Sequence, residues 1–404
     1  MFSRLTSHIF FSTQPSFKFC ASPTFFLCIC ILLTACGQTA VEPKVILIPP
    51  VGSVTLNRSI DTPAPEQQLD IGVLIFETKP NGQDAQRFGD WVFAEIRDNE
   101  THYLPYVLRD TLLDSNQWGA VRVLPEFDPS LDLQIKGTVL KSDGIDLHLQ
   151  IQAEDSTGRL WLDKVYADAA YESDYPASTR FTNANQFDAT GFVDPFQDIY
   201  DQISNDLLAV KQTFDTSNLV DLRRVSQMVY ANDLSPETFS YTLNKTIDGR
   251  LLVSSLLAEN DPMLARVEDM RLRHHLFIDT VDQYYEALHN EMQVAYIIWR
   301  RYSFDQINEE ENAAQRVFNP DQYGRSRSFL SLTQRYDRYR WSKIYQQEFR
   351  ELASGFNREI APAILDLNKD VHGLSGTMEE QYIQWRRILR ALFELESGQE
   401  VSAN

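Results

Sequence analysis

Leu131-Asp132-Leu133-Gln134-Ile135-Lys136-Gly137-Thr138-Val139-Leu140 alternates apolar with polar residues, stops at Ser142-Asp143-Gly144, and returns as Ile145-Asp146-Leu147-His148-Leu149-Gln150-Ile151. A period of two is the signature of a strand with one buried face. Asp155-Ser156-Thr157-Gly158 then turns the chain into Leu160-Trp161-Leu162-Asp163-Lys164-Val165-Tyr166. The stretch predicts a three-stranded antiparallel meander closed by glycine turns.

Upstream, Ile71-Gly72-Val73-Leu74-Ile75-Phe76 is an apolar, β-branched run that ends at Glu77 and the turn-like Pro80-Asn81-Gly82, as a buried strand does. Phe88 to Ile96 and Leu104 to Leu113 carry apolar positions at helical spacing, notably Leu104, Val107, Leu108, Thr111 and Leu112. After Gly119, Ala120-Val121-Arg122-Val123-Leu124 reads as a second strand. Downstream of the meander, Pro195 to Leu208 places Phe196, Ile199, Tyr200, Ile203 and Leu207 on one helix face. The stretch between Tyr166 and Asp194 has no steady period. Tyr171 to Pro176 and Thr182 to Thr190 read as a surface loop, either presenting tyrosines to a partner or packing them locally.

The order strand, helix, strand, meander, helix over residues 69–212 resembles the small α+β domain of envelope proteins, namely the amino-terminal domain of TolB and the core of CsgG-like lipoproteins. The matching features are Gly72-Val73-Leu74-Ile75-Phe76, the middle helix, Gln134-Ile135-Lys136-Gly137-Thr138-Val139 and Asp155-Ser156-Thr157-Gly158-Arg159-Leu160-Trp161. The resemblance implies a scaffold, a secretion part or an activator more than an enzyme, and leaves half the chain outside the match.

From about residue 213 the composition changes, and Glu, Gln, Arg and Leu take over at helical spacing. Ser235-Pro236-Glu237 and Asp261-Pro262-Met263 are helix starts, each a capping residue followed by Pro at the first helical position. From Pro262 to about Tyr302 there is no Gly or Pro, and Phe277, Val281, Tyr284, Leu288, Met292 and Ala295 form an apolar stripe. Further helices are predicted over Gln306–Val317, Ser328–Phe356, Ile360–Leu367 and Met378–Leu395. The fold class predicted is therefore an α+β domain (69–212) followed by an all-α helical domain (213–404).

The amino terminus reads as an address. Residues 1–35 contain Arg4 and Lys18 and no acid, and Phe25 to Leu33 is an apolar run too short to span a bilayer. Leu33-Thr34-Ala35-Cys36 resembles the bacterial lipoprotein box. That family implies lipid on Cys36, which becomes the mature amino terminus. Because Gly37 is not Asp, it also implies an outer-membrane protein facing the periplasm of a Gram-negative cell. Residues 36–68, with prolines at 43, 49, 50, 63 and 65, read as an extended lipidated tether; Val45 to Ile48 reads equally as an edge strand. The other cysteines, Cys20, Cys28 and Cys30, leave with residues 1–35, so no disulfide or thiolate site is expected. Removing Arg4 and Lys18 takes the formal charge from -20 to -22, which disfavours nucleic acid as a partner.

Two constellations carry possible chemistry. His275, Asp279, Asp282, Glu286 and His289 recur at spacings of four, three, four and three, so all five project from one side of a helix. Glu286-Ala287-Leu288-His289 has the Glu-x-x-His form of carboxylate di-metal bundles, without a second copy in the chain. Such ligands suit Zn, Mn or Fe. The same residues read equally as a solvated face, or as one that meets arginines on a neighbouring helix. Arg335, Arg338, Arg340 and Lys343 interleave with Tyr336, Tyr339 and Trp341, as a site for an anionic envelope ligand would, or as core aromatics with arginines paired to acidic helices; Trp385-Arg386-Arg387 repeats the theme. Gly-x-Ser-x-Gly, P-loop, Gly-x-Gly-x-x-Gly and His-Glu-x-x-His motifs are absent. The expected function is binding or scaffolding in envelope assembly, secretion or cell-wall maintenance, with no cofactor, the membrane and an envelope protein as partners. The alternatives are a divalent-metal enzyme using the helical face, and a carrier of lipid or lipopolysaccharide.

Overall fold

The computed structural model describes residues 48–79, 94–175, 192–255, 257–258, 261–318, 364–367 and 370–397. Strand β1 (Ile71–Leu74) is followed by β2 (Glu77–Thr78), helix α1 (Ala94–Asp114), β3 (Val121–Leu124), and the meander β4 (Leu133–Ser142), β5 (Asp146–Asp155) and β6 (Leu160–Ala169). The sheet runs β3-β1-β4-β5-β6. β1 is parallel to both β3 and β4, while β4, β5 and β6 are antiparallel in the order the alternation predicts. β2 carries the β1 pairing further along β4, with Glu77 opposite Thr138. Along β5, Leu147, Leu149, Ile151 and Ala153 are buried while Gln152 and Glu154 are exposed. One face of the meander is core and the other is wet.

The step from β3 back to β4 crosses β1 in eight residues, and Gly72 makes room for it: a Cβ there would lie 2.6 Å from Leu131 Cδ1. Helix α1 runs unbroken through Pro105, joining what the sequence presents as two helical patches. Proline has no N–H for the carbonyl four residues back. That carbonyl, Thr101 O, instead accepts the N–H of Phe76 at 2.9 Å, where the strand breaks between β1 and β2. Helix α2 (Gln197–Lys211) lies on β6 and α1, burying Ile199, Tyr200, Ile203 and Leu207.

Helix α3 (Thr216–Leu234) is capped by Asp215, whose carboxylate accepts the Asn218 N–H at 2.8 Å. A single helical turn, Pro236–Phe239, leads to the hairpin β7 (Leu243–Lys245) and β8 (Leu251–Val253). Helix α4 (Pro262–Phe318) begins at the predicted Asp261-Pro262 and continues past Tyr302 without a break, 57 residues or about 85 Å long. Ile364–Leu367, expected as the end of a helix, is instead strand β9, paired antiparallel with β10 (Asp370–Gly373). Two residues separate these strands, the spacing of a tight hairpin. Helix α5 (Met378–Ser397) is the last described element.

A mixed sheet followed by a mainly helical region is thus the architecture, and the described residues of 69–212 and 213–404 share one hydrophobic core. Phe277 of α4 meets Trp385 of α5 at a 5.1 Å ring separation, and α4 lies along α1 and β3. Residues 48–64 carry no helix or strand, as proline predicts, and Pro65–Gln67 makes one 3-10 turn, but the segment does not form a free spacer. Val51 N–H bonds Ala167 O of β6 (2.8 Å), Val54 N–H the Asp198 carboxylate (2.8 Å), Asn57 N–H Asn205 Oδ1 (2.9 Å), and Ser59 N–H Ser115 O (2.9 Å). This strap then reaches α3, where Arg223 donates to Pro65 O at 2.8 Å.

Candidate functional site

The five polar residues of α4 spread along one flank of the helix and do not converge. His275 and His289 are 14 residues apart, about 21 Å along the axis, whereas ligands of one metal lie ~2 Å from it. Asp282 is committed to structure. Its Oδ1 accepts the N–H of Val123 (2.8 Å) from β3, at the edge of the sheet, and its Oδ2 accepts from Arg109 of α1. An edge strand with a free N–H invites foreign pairing, and Asp282 closes it. Burial raises the pKa of Asp282, against the lowering pull of Val123 N–H and Arg109.

Asp279 takes the Arg122 Nε–H at 2.6 Å, and Glu286 is exposed. His275 lies 4.0 Å from Asp70, and burial, then Arg271 and Arg122, push its pKa down to about 4. His289 stacks on Tyr103 (4.3 Å) and Tyr106 (4.7 Å), and burial takes it to about 4 as well. Of the readings left open by the sequence, contact with arginines describes Asp279 and Asp282, although those arginines come from β3 and α1. Among the described residues no three His, Cys, Asp or Glu side chains are grouped to hold a metal ion.

Two buried polar centres escaped the sequence reading. In the first, Asp128 of the β3–β4 crossover is fully buried between α4 and α5. Its Oδ2 accepts from His274 Nε2 (2.5 Å) and from Tyr382 Oη, and its Oδ1 from Ser130 N–H (2.8 Å). Trp385 Nε1–H donates to His274 Nδ1 at 3.2 Å, so the proton facing Asp128 sits on Nε2. Burial alone would raise the pKa of Asp128, but His274, Tyr382 and Ser130 outweigh it and hold the carboxyl well below the usual range. His274 adjoins the predicted stripe, one turn before Ile278 and four residues after Met270, and that spacing was the available signal. Nothing local marks Asp128.

In the second centre, Arg300 is buried and donates to Glu100 (3.0 Å), Ser142 Oγ (2.8 Å), Tyr296 Oη (2.6 Å) and Asp143 O (2.8 Å). It ties α4 to α1 and to the β4–β5 turn. Gly144 of that turn is pressed on the helix backbone: a Cβ would lie 2.1 Å from Phe304 N. Of the predicted loop tyrosines, Tyr171 is 71% exposed while Tyr175 is buried and donates to Gly144 O at 2.6 Å.

Trp385 is core, and Arg386 pairs with Glu126 (3.1 Å) and Asp233 (3.2 Å). Cys36 and Arg335, Arg338, Arg340 and Lys343 lie outside the described residues. Among the described residues, an open groove of about 820 Å³ lies between α3, the start of α4 and the strap. No protein-family model matches the chain, and comparison with curated proteins finds no significant relative.

Proposed function

We propose that this protein is a lipid-anchored component of the bacterial envelope, held at the outer membrane through Cys36 and facing the periplasm, that works by binding and scaffolding rather than by catalysis. The observation that carries the binding half of this reading is the fate of the polar flank of α4. Asp279 and Asp282, which a metal site would need, hold Arg122, Arg109 and the edge of the sheet, and His289 is packed between two tyrosine rings. The anchoring half rests on Leu33-Thr34-Ala35-Cys36. Two acyl chains or more are what stable anchoring requires.

The test is fractionation of cells producing the native chain or the Cys36→Ser variant. The native chain is expected in the outer-membrane fraction and the variant in the soluble periplasm or stalled before processing, with an unchanged melting temperature. A variant that is processed normally and stays in the outer membrane would refute the anchor. Crosslinking in intact cells, followed by purification of the native chain, is expected to recover a defined envelope complex. Recovery of the chain alone would count against scaffolding.

A further inference from the structure

The groove beside the strap carries charges of both signs on separate elements, with Glu66 of the strap and Arg271 of α4 also in its lining. On one side α3 presents Arg223 and Arg224; on the other, the first turns of α4 present Asp261 and Glu268, with Val220 and Leu264 between them. The charges do not neutralise each other across the gap. Arg223 donates to the Pro65 carbonyl (2.8 Å), and Arg224 pairs with Asp221 of its own helix (3.1 Å), both of those side chains more than half exposed. Asp261 Oδ1 accepts the Met263 N–H (2.8 Å). The bond that does span the groove is neutral on one side, Gln227 Nε2 to Glu268 at 3.1 Å. Opposite charges held apart over apolar side chains form a slot for something that carries both signs.

Size narrows the class. The lining of α4 runs from Asp261 to Arg271, about 15 Å at 1.5 Å per residue, and an extended chain covers that in about four to five residues at 3.3 Å each. In an extended chain consecutive side chains point to opposite sides, so adjacent acidic and basic residues would meet the arginine wall and the acidic wall respectively. Arg271 closes the far end, its guanidinium held by Ser130 O (2.8 Å) and 3.9 Å from Asp132.

We propose that this groove binds a short extended segment of a partner protein in which an acidic and a basic residue are neighbours. The assignment goes beyond the anchored-scaffold reading and does not depend on the lipid, so Cys36→Ser protein serves for the test. Calorimetric titration uses three end-capped tetrapeptides, Ala-Glu-Lys-Ala, Ala-Glu-Glu-Ala and Ala-Lys-Lys-Ala. The mixed peptide is expected to bind one to one, and each like-charged peptide at least about tenfold more weakly. Arg224→Ala and Glu268→Ala, both surface changes that leave the melting temperature in place, are each expected to weaken the mixed peptide at least about fivefold. Absence of saturable binding by the mixed peptide up to about 5 mM, equal binding of all three, or indifference to both substitutions would overturn the assignment. Binding by an uncapped Ala-Glu-Lys-Ala but not by the capped one would also overturn it, because it would point to small peptides rather than to a protein segment.

Discussion

Replacing Asp128 by Asn keeps the size of a fully buried side chain and removes its charge and one acceptor. The native carboxylate takes three hydrogen bonds, from His274, Tyr382 and Ser130. If the amide oxygen keeps the Ser130 N–H, the amide nitrogen is left facing two donors. Charge-assisted bonds contribute about 1.5–3 kcal/mol each, and breaking one side of a buried polar pair costs about 3–5 kcal/mol. A loss of about 3–5 kcal/mol is therefore expected, out of the ~5–15 kcal/mol that holds a typical domain.

Urea unfolding followed by tryptophan fluorescence measures it as a lower midpoint at unchanged slope. Tyr382→Phe removes one of the two opposed donors, so the double variant should lose less than the sum of the singles by about 1 kcal/mol or more. The pH dependence has a definite sign. The folded pKa of Asp128 lies below its unfolded value of about 3.9, so its contribution is complete above that value and fades as pH falls below it. The gap between native and Asp128→Asn proteins should be constant from neutrality to about pH 4 and narrow beneath. A loss under about 1 kcal/mol, or additivity within ~0.5 kcal/mol, would refute the account of this centre.

Gly144→Ala sets a methyl against the α4 backbone, 2.1 Å from Phe304 N; overpacking typically costs about 1–3 kcal/mol, and a scanning melt should register it, whereas an unshifted melt would mean that the turn does not press on the helix. Asp282→Ala orphans Val123 N–H and takes one of two carboxylates from Arg109, which keeps Asp110, so a loss of about 1–3 kcal/mol is expected together with faster amide exchange at Val123; unchanged exchange there would count against the edge-closing role. His275 and His289 both titrate near about 4 when folded and near 6.5 when unfolded. The unfolded chain therefore gains protons first, and each histidine removes up to about 3 kcal/mol as pH falls from about 6.5 to 4. His289→Phe should flatten that slope in urea titrations across this range, and an unchanged slope would exclude His289 as a source.

The meander was legible because the alternation through β4 and β5 lasts long enough for period two to exclude a helix, and glycine turns bound each strand. The start of α4 was legible because Asp261-Pro262 is a local signal; its end was not, because the stretch expected as a separate helix over Gln306–Val317 continues the same helix with no Gly or Pro to break it. The hairpins β7–β8 and β9–β10 were not, because strands of three and four residues are too short to display a period. Pro105 marked a break that the fold avoids, since the freed Thr101 carbonyl finds Phe76 on another element. The polar flank of α4 was visible as a pattern, but its meaning was not. Its arginine partners stand 157 and 173 residues away, and no local spacing encodes that pairing. Asp128 and Tyr382, 254 residues apart, are invisible for the same reason.

The strap has a mechanical consequence. Tension applied upstream of Val51 meets the body one contact at a time: first the bond to Ala167 of β6, then that to Asp198, then those to Asn205 and Ser115. These contacts are spaced along the strap, one or two hydrogen bonds at each, so they yield one after another rather than together. Peeling the 18 residues from Val51 to Gln68 lengthens the chain by up to about 60 Å while the strands and α4 keep their places. The segment acts as a shock absorber in series with a rigid body, and its bonds are the ones that a sustained pull would spend first.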